Sequence, residues 1–263
     1  MPSDRDTGFD LDRLITDTFV AQVQFHETID STNTAALAAS DQDDLQLPLL
    51  VLTGQQTAGR GRGSNTWWSA PGSLTFSLLL NPSNLGIMQQ DWPRISLTTG
   101  LATCLALEEF LGDHSCFLKW PNDVFVNDRK VSGILIENQV RGGQISSAIV
   151  GIGINVNELE FGELRATSLN AETGSSFDRE DVLQSLSRHL EAQYLLLRSK
   201  SMQILENYQA SLYGKDEIRN YIFPDGEDQG VLQRVAIDGS ATFARNSGKH
   251  SYTIDHVKWC WED

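Results

Sequence analysis

Short apolar runs, bounded by Gly, Pro, Asn or Asp, recur along the chain up to residue 156 and predict β-strands. Strands are expected at residues 23–25, 49–53, 74–80, 115–119, 123–126, 130–137 and 144–156. The last four follow one another through short turns such as Asn127-Asp128. Because short turns join antiparallel neighbours, the pattern predicts a mixed, largely antiparallel sheet.

Apolar residues spaced three and four apart predict two longer helices that cover a face of this sheet. One is expected at residues 91–112, and the other at residues 181–212 with a break near its middle. A shorter helix is predicted in DSTNTAALAAS, where the side chain of Asp30, Ser31 or Asn33 can cap the exposed N–H groups of the first turn.

The pattern changes after Gly214, where apolar and polar residues alternate between Gly, Asn and Asp turns. This alternation predicts a small C-terminal β-barrel. We therefore expect an α+β protein with an N-terminal extension at 1–22, a larger unit at 23–213 that carries the site, and a small β unit at 214–263.

Composition narrows the class of protein. The 263 residues are 40% hydrophobic and 21% charged, which is typical of a globular chain and excludes a fibrous or wholly disordered one. The apolar runs are too short to cross a bilayer, and the acidic start of the chain lacks the features of a signal peptide, so we expect a cytoplasmic protein with no membrane partner.

Cysteine and histidine usage predicts neither a disulfide framework nor a protein-bound metal. Cys104, Cys116 and Cys260 have no CxxC spacing, which fits a reducing compartment and buried, inert thiols. The five histidines form no HxH or HExxH pair, and no cysteine cluster accompanies them.

Charge is distributed unevenly. The net charge is −15, which repels nucleic acid at long range, so nucleic-acid partners are not expected. No Asp or Glu occurs in residues 45–90, and Arg60 and Arg62 lie inside this window. An anionic ligand would therefore have to bind at a local positive patch of this kind.

The first candidate motif is Gly59-Arg60-Gly61-Arg62-Gly63, followed by Trp67-Trp68. Glycines let the backbone fold around a ligand, and two guanidinium groups can hold carboxylate and phosphate oxygens. A flexible basic loop or a nucleic-acid contact is the alternative for the glycines and arginines. The tryptophans either anchor the core or form an apolar lid over a ligand.

The second candidate motif is Lys119-Trp120-Pro121-Asn122-Asp123, followed by Lys130 and Gly133. If the two short strands pair as a hairpin, Lys119 and Lys130 approach the same end of the sheet. A lysine at a strand end is ordinarily a solvated residue that protects a sheet edge. Two lysines close to an Asp-containing turn make a binding site the stronger interpretation.

The third candidate motif is Gly151-Ile152-Gly153-Ile154-Asn155 within the last strand of the predicted sheet. Glycine weakens a strand unless a ligand or another backbone approaches it closely. The alternative to such an approach is a β-bulge.

Taken in order, DSTN, QTAGRGR with Trp67, KWPND with DRKVSGIL, and GIGINVN resemble the motif series of biotin protein ligases. The resemblance covers about residues 23–212, and more weakly the C-terminal segment. It implies a class II synthetase-like catalytic domain followed by an SH3-like β-barrel. The DNA-binding helix-turn-helix of some members would precede residue 20, and we expect it to be absent.

The resemblance also implies a reaction in two steps. Biotin and ATP form biotinyl-5'-AMP with release of pyrophosphate, and the biotinyl group then passes to a lysine of a biotin carboxyl carrier protein of acetyl-CoA carboxylase or a related carboxylase. Magnesium is expected with the ATP phosphates, without a fixed protein cage. A monomer or weak homodimer is expected.

By the same resemblance, Lys130, Arg62 and Lys119 supply positive charge to the reaction. Asp123 is our candidate to orient the acceptor amine or take its proton, because it is the only acid inside the four motifs apart from Asp30 and Asp128. Residues expected to bind biotin or the adenylate are Ser31, Thr32, Asn33, Gln56, Gly59, Arg60, Gly61, Arg62, Trp67, Lys130, Gly133, Gly151 and Asn155. Three alternatives stay open: a lipoate ligase of related fold, a biotin-binding sensor without transfer activity, and an RNA-binding module that uses the RG loop.

Overall fold

The computed structural model describes residues 8–42, 44–81 and 83–261. The first seven residues of the predicted N-terminal extension lie outside this range. No helix in the described part of the chain is long and apolar enough to cross a bilayer.

A seven-stranded sheet forms the centre of the molecule, with the order β1-β2-β3-β7-β6-β5-β4. Its strands are β1 Gln22–Ile29, β2 Leu49–Gln56, β3 Ser73–Leu80, β4 Cys116–Lys119, β5 Asp123–Val126, β6 Arg129–Arg141 and β7 Gln144–Asn155. Only β1 and β2 pair in parallel within this sheet, because a helix connects them. The other neighbours are antiparallel, which confirms the predicted mixed sheet.

Helices cover both faces of this sheet. They are α1 Leu11–Thr16, α2 Thr32–Ala39, α3 Arg94–Leu111, α4 Leu169–Thr173, α5 Arg179–Leu197 and α6 Ser201–Ala210. The larger core lies between the sheet and helices α3 and α5, and a smaller one lies under α2 on the opposite face. Every residue of β3 is buried, since β3 is covered on both sides.

A second sheet of five strands follows, with the order β11-β10-β9-β8-β12. Its strands are β8 Ile218–Phe223, β9 Gly226–Val235, β10 Ala241–Arg245, β11 Gly248–Tyr252 and β12 Lys258–Trp259. This sheet agrees with the small C-terminal β unit expected from the alternating pattern. Its inner residues, including Tyr221 and Phe243, belong to the same apolar cluster as the larger core.

The segment before β1 contributes to the core. Asp10 caps α1 by accepting a hydrogen bond from the backbone N–H of Arg13, and the side chains of Phe9, Leu14 and Val20 are buried. The described part of the predicted N-terminal extension therefore packs against the larger unit, and the division of the chain at residues 22 and 213 stays a prediction.

Candidate functional site

One cleft of about 630 Å³, counted with its open mouth, receives side chains from all the sequence motifs. The predicted residues that line it are Ser31, Thr32, Asn33, Gln56, Arg60, Gly61, Arg62, Trp67, Asp123, Lys130, Gly133 and Gly151. Gly59, Lys119 and Asn155 lie next to the cleft and support residues that line it.

The start of α2 forms a polar wall of the cleft. Of the three predicted caps, Asp30 accepts through Oδ1 a hydrogen bond from the Ser31 backbone N–H at 2.7 Å. Ser31 occupies the cap position, but its side chain makes no capping bond. Gln56 at the end of β2 replaces it, because its Oε1 accepts hydrogen bonds from the Thr32 backbone N–H at 2.7 Å and from Thr32 Oγ1 at 3.1 Å. Two motifs distant in sequence are thereby joined.

Ser77 of β3 completes this polar wall and was missed by sequence reasoning. Its hydroxyl bonds to Thr32 Oγ1 at 2.8 Å and to Asn33 Oδ1 at 2.6 Å, and all three side chains are buried. Its position two residues after Thr75 in a mostly apolar strand was the one sequence signal that pointed to it. Buried hydroxyl and amide groups that are already oriented can recognise a neutral polar ring at low cost.

Glu137 of β6 is a second residue that the motifs did not reveal. Its Oε2 accepts hydrogen bonds from Asn33 Nδ2 at 2.7 Å and from Arg60 Nη2 at 2.6 Å. Because Asn33 Oδ1 is bonded to Ser77, the Asn33 amide is held in one orientation. One carboxylate thus ties the glycine loop to the polar wall.

The glycine loop, residues 59–66, folds back on itself. The Trp67 N–H donates to the Gly59 carbonyl at 3.0 Å, and the Gly61 N–H donates to the Asn65 carbonyl at 2.8 Å. A Cβ atom at position 59 would overlap the Trp67 carbonyl oxygen. Arg62 forms an ion pair with Asp255 of the C-terminal segment. The loop therefore connects the cleft with that segment.

The two glycines of β7 leave room for side chains rather than form a bulge. A Cβ atom at Gly151 would overlap Asn33 Oδ1, and one at Gly153 would overlap the indole of Trp67. The structure places two side chains, rather than another backbone, close to these glycines, and the ladder between β3 and β7 is regular through both positions. Gly153 is therefore a site residue that the candidate set omitted.

Trp67 lies inside the cleft rather than in the core. Its Nε1 donates to Thr75 Oγ1 at 3.3 Å, and the Lys130 ammonium lies 5.7 Å from its ring centroid. Gly133 makes this possible, because a Cβ atom there would lie 2.9 Å from Lys130 Nζ and 3.3 Å from the indole. Trp68, by contrast, is exposed.

Asp123 lies between two lysines, which confirms that the hairpin brings Lys119 and Lys130 together. Lys130 Nζ is 2.6 Å from Asp123 Oδ1, and Lys119 Nζ is 3.3 Å from Asp123 Oδ2. Burial alone would raise the pKa of Asp123, but the charges and hydrogen bonds of Lys130 and Lys119 outweigh it and hold that pKa below its ordinary value. Asp123 is therefore ionised at neutral pH.

Lys119 is the more enclosed of the two lysines. Burial lowers its pKa below the ordinary value, and the Asp123 charge opposes that change. Lys130 reaches the cleft, whereas Lys119 faces a neighbouring opening lined by residues of the C-terminal segment.

Asn155 lies behind the cleft. It is buried, and its Nδ2 donates to the Thr167 carbonyl at 2.9 Å. The backbone of Lys130 also pairs with this segment, since its N–H donates to the Arg165 carbonyl at 3.1 Å and its carbonyl accepts from the Thr167 N–H at 2.9 Å. Asn155 thereby holds the chain after β7 against β6. Its predicted contact with a ligand stays a prediction.

The cleft therefore combines buried neutral hydrogen-bonding groups with a cluster of cations. Asn33 lies over Gly151, whereas Trp67 lies over Gly153, two residues further along β7 and about 7 Å away. Among the described residues, no group of three His, Cys, Asp or Glu could hold a metal ion. Such a cleft suits an elongated ligand with a neutral polar head and an anionic end.

Comparison with known proteins places this cleft in a recognised context. The model of the biotin/lipoate A/B protein ligase family matches residues 25–155. The bifunctional ligase/repressor BirA of Bacillus subtilis is 36% identical over 176 residues, which are 65% of this chain and 53% of the relative. The chain thus spans about half the length of that relative.

Two further proteins match more of their own length. The biotin–acetyl-CoA-carboxylase ligase of Mycobacterium tuberculosis is 31% identical over 203 residues, which are 75% of this chain and 73% of the relative. The structure of the biotin protein ligase from Aquifex aeolicus in complex with biotin and ATP aligns with a TM-score of 0.73 at 28% identity. This alignment covers 91% of this chain and 100% of that chain.

Proposed function

The chain belongs to the biotin/lipoate A/B protein ligase family, and from this premise we propose that it is a biotin protein ligase. It activates biotin with ATP to biotinyl-5'-AMP and transfers the biotinyl group to a lysine of a biotin carboxyl carrier protein. One observation carries the proposal: Thr32 and Asn33, which the buried Ser77 holds from behind, line the same cleft as Lys130 and the glycine loop.

The polar wall accounts for the choice of acid. The ureido ring of biotin is neutral and has both donors and acceptors, so its burial requires matched partners. Thr32, Asn33 and Gln56 offer such partners, and Gly151 gives Asn33 its space. The distance of about 7 Å along β7 from Asn33 to Trp67 suits the carboxylate-bearing side chain of biotin.

The first step joins two anions, because the biotin carboxylate attacks the α-phosphate of ATP and pyrophosphate leaves. Positive charge and positioning matter more for this step than a general base. Lys130 and Arg62 supply that charge at the cleft, and Lys119 adds to it through Asp123. Trp67 covers the adenylate, while Arg60 and the glycine loop hold its acyl phosphate.

The second step requires a neutral amine, yet a free lysine has a pKa of about 10.4 and is almost wholly protonated at pH 7. Asp123 is the acid of the KWPND motif that lines the cleft. Because its lowered pKa makes it a weak proton acceptor, Asp123 orients the incoming amine rather than taking its proton.

The remaining parts of the proposal concern partners and setting. Magnesium enters with the ATP phosphates, for which hard oxygen ligands suffice. The acceptor is a carrier domain of acetyl-CoA carboxylase or a related carboxylase. The protein works in the cytoplasm as a monomer or weak homodimer, and its net charge of −15 disfavours nucleic-acid or anionic-membrane partners.

Incubation with biotin, Mg-ATP and a biotin carrier domain tests the proposal, with pyrophosphate release and the mass of the carrier measured separately. A biotin-dependent gain in both is expected, and lipoate in place of biotin should give neither. If the adenylate formed but none of several carrier domains gained mass, the protein would be a biotin sensor. Modification with lipoate alone would identify a lipoate ligase.

A further inference from the structure

Aromatic rings, most of them from the C-terminal segment, enclose the ammonium group of Lys119. Its ammonium group is 5.3 Å from the centroid of Phe125, 5.4 Å from that of Trp259 and 5.8 Å from that of Trp261. Three rings within 6 Å of one ammonium group make a cation–π enclosure. Two of these rings belong to the C-terminal segment, about 140 residues away in sequence.

The rings of this enclosure are held in place by further contacts. Trp261 stacks on Phe125 with 5.8 Å between centroids and 10° between planes, and Trp259 stacks on Trp261 at 5.8 Å and 19°. Trp259 Nε1 donates to the Trp120 carbonyl at 3.0 Å, inside the KWPND motif. The enclosure is therefore a built feature that joins β5, the KWPND turn and β12.

The enclosed lysine acts on the cleft through one carboxylate. Lys119 is bonded to one oxygen of Asp123, and the other oxygen binds Lys130, whose ammonium faces the cleft. If Lys119 moved away, Asp123 would lose the partner that fixes its rotation. Lys130 would then be held by a carboxylate free to turn.

We propose that Trp259 and Trp261 are positioning residues for adenylation: by enclosing Lys119 they fix Asp123, and through Asp123 they aim Lys130 at the reacting phosphate. The inference rests on the proposed ligase function. It assigns the C-terminal segment a defined task in the first step.

The charged groups around the enclosure determine the pH behaviour. Asp123 and Lys130 face Lys119 from β5 and β6. Arg165 lies 4.3 Å from the ring centroid of Trp261, and Arg219 lies 5.9 Å from that of Trp259. Across the neighbouring opening, Arg62, Asp255 and Lys258 face it from the glycine loop and the C-terminal segment.

The rings exclude water, which lowers the pKa of Lys119, while their faces attract the ammonium group, which raises it. Burial is the largest cause of the lowered pKa, so removal of a ring should admit water and raise that pKa. In the native protein, loss of the Lys119 charge at high pH would lower the adenylation rate. Without Trp261 the adenylation rate should start to fall at a higher pH than in the native protein. At pH values below that fall, the rate should be lower than that of the native protein.

Biotin-dependent exchange of pyrophosphate into ATP tests this in the full-length protein with three variants. Trp261→Ala should lower kcat about tenfold with little change in the KM for biotin, and should move the alkaline limb to higher pH. Trp261→Phe, which keeps a ring on Phe125, should restore most of the rate. Ile222→Ala, an exposed position opposite Lys258 in the same sheet, should behave as the native protein.

The pKa of Lys119, measured by NMR on protein with isotopically labelled lysine and assigned with Lys119→Arg, gives a readout that needs no activity. It should rise in Trp261→Ala and change less in Trp261→Phe. If the native protein shows no biotin-dependent exchange, the proposed function fails. If the native protein is active and Trp261→Ala keeps its kcat and pH profile, the positioning role fails although the function stands.

Discussion

At the scale of single residues, Asp123 decides how charge is arranged in the cleft. Its two oxygens bind two lysines, and the lysine charges outweigh burial to keep its pKa low. A carboxylate of this kind neutralises part of the lysine charge before the substrate arrives. The anionic substrate must then compete with Asp123 for Lys130. We therefore expect the rate of the first step to be most sensitive to substitution of Lys130.

Lys130→Ala should slow adenylate formation by about 100-fold or more, because it removes a cation from the place where negative charge develops. Transfer from added biotinyl-5'-AMP to the carrier should be affected less. Rapid-quench measurement of each half-reaction checks this. A variant in which only transfer is slow would contradict the assignment. Asp123→Asn should slow both half-reactions, because Asp123 both holds Lys130 and orients the amine.

Gly153→Ala should weaken binding of the adenylate while the fold persists. The added methyl group overlaps the Trp67 indole, so the ring must leave its place above the strand. We expect at least a tenfold rise in the dissociation constant for biotinyl-5'-AMP, measured by titration calorimetry. Gly142→Asn, at an open hairpin turn whose φ of +60° asparagine tolerates, serves as a control for folding only. Unchanged affinity in Gly153→Ala would mean that Trp67 does not contact the adenylate.

Glu158→Gln should change the pH dependence of stability. Glu158 is buried, and its Oε2 has no hydrogen-bond partner in the described part of the chain. Burial raises its pKa, although a hydrogen bond from Ser73 opposes that change. The folded state therefore holds the proton to a higher pH than the unfolded state does. The stability that this provides is lost as the pH rises through the raised pKa.

A glutamine at position 158 cannot ionise, so the variant should gain stability relative to the native protein as the pH rises above the ordinary range of a glutamate. A gain of about 1 kcal/mol corresponds to each unit of pKa change. Urea unfolding at a series of pH values measures the difference. A constant difference between the two proteins at all pH values would show that Glu158 titrates normally.

At the scale of elements, the glycine loop is the part of the cleft whose position depends most on salt bridges. Arg60 pairs with Glu137 of β6, and Arg62 pairs with Asp255 of the C-terminal segment. These pairs are partly exposed, and each contributes about 1 kcal/mol or less. A carboxylate or phosphate in the cleft can therefore displace them, and the loop then closes on the ligand instead.

Limited trypsin digestion at Arg60 and Arg62 measures this change. Biotin with ATP should slow cleavage of the loop, and Asp255→Asn should speed it up to about fivefold in the absence of ligand. Asp113→Asn, an exposed residue after α3, is the matched control. Equal cleavage with and without ligand would mean that the loop does not close.

At the scale of the whole molecule, the two sheets share one core. Tyr221 and Phe243 of the second sheet pack in the same apolar cluster as the first sheet. Trp120 connects them, because its Nε1 donates to the Gly239 carbonyl at 2.9 Å and its own carbonyl accepts from Trp259. The site therefore depends on the packing of the two sheets against each other.

Unfolding should therefore be a single cooperative transition when followed by calorimetry and by tryptophan fluorescence. Trp120→Ala should lower the free energy of unfolding by about 3–5 kcal/mol. Trp120→Phe, which mainly loses the hydrogen bond to Gly239, should lower it by about 1–2 kcal/mol. Two separate transitions in the native protein would instead support independent units divided near residue 213.

The local pattern was sufficient for most elements and for the residues of the motifs. Alternating and periodic apolar residues predicted β3, α3 and α5 well, since burial of one face imposes the same pattern wherever the segment lies. The helix α1 was not expected, because its six residues are too few to show a period. The glycines, lysines and arginines of the motifs are visible without coordinates, whereas the polar residues of the cleft, such as Asn33 and Gln56, were predicted through the resemblance to biotin protein ligases.

The sequence by itself determined the types of element and most of the residues that meet in the cleft, because these depend on spacing within short segments. Tertiary structure alone decided the roles of Ser77, Glu137, Trp259 and Trp261, and gave the cap of α2 to Gln56. Each of these contacts joins segments far apart in the chain. Such contacts arise only when the whole core assembles, so the order of residues along one segment does not reveal them.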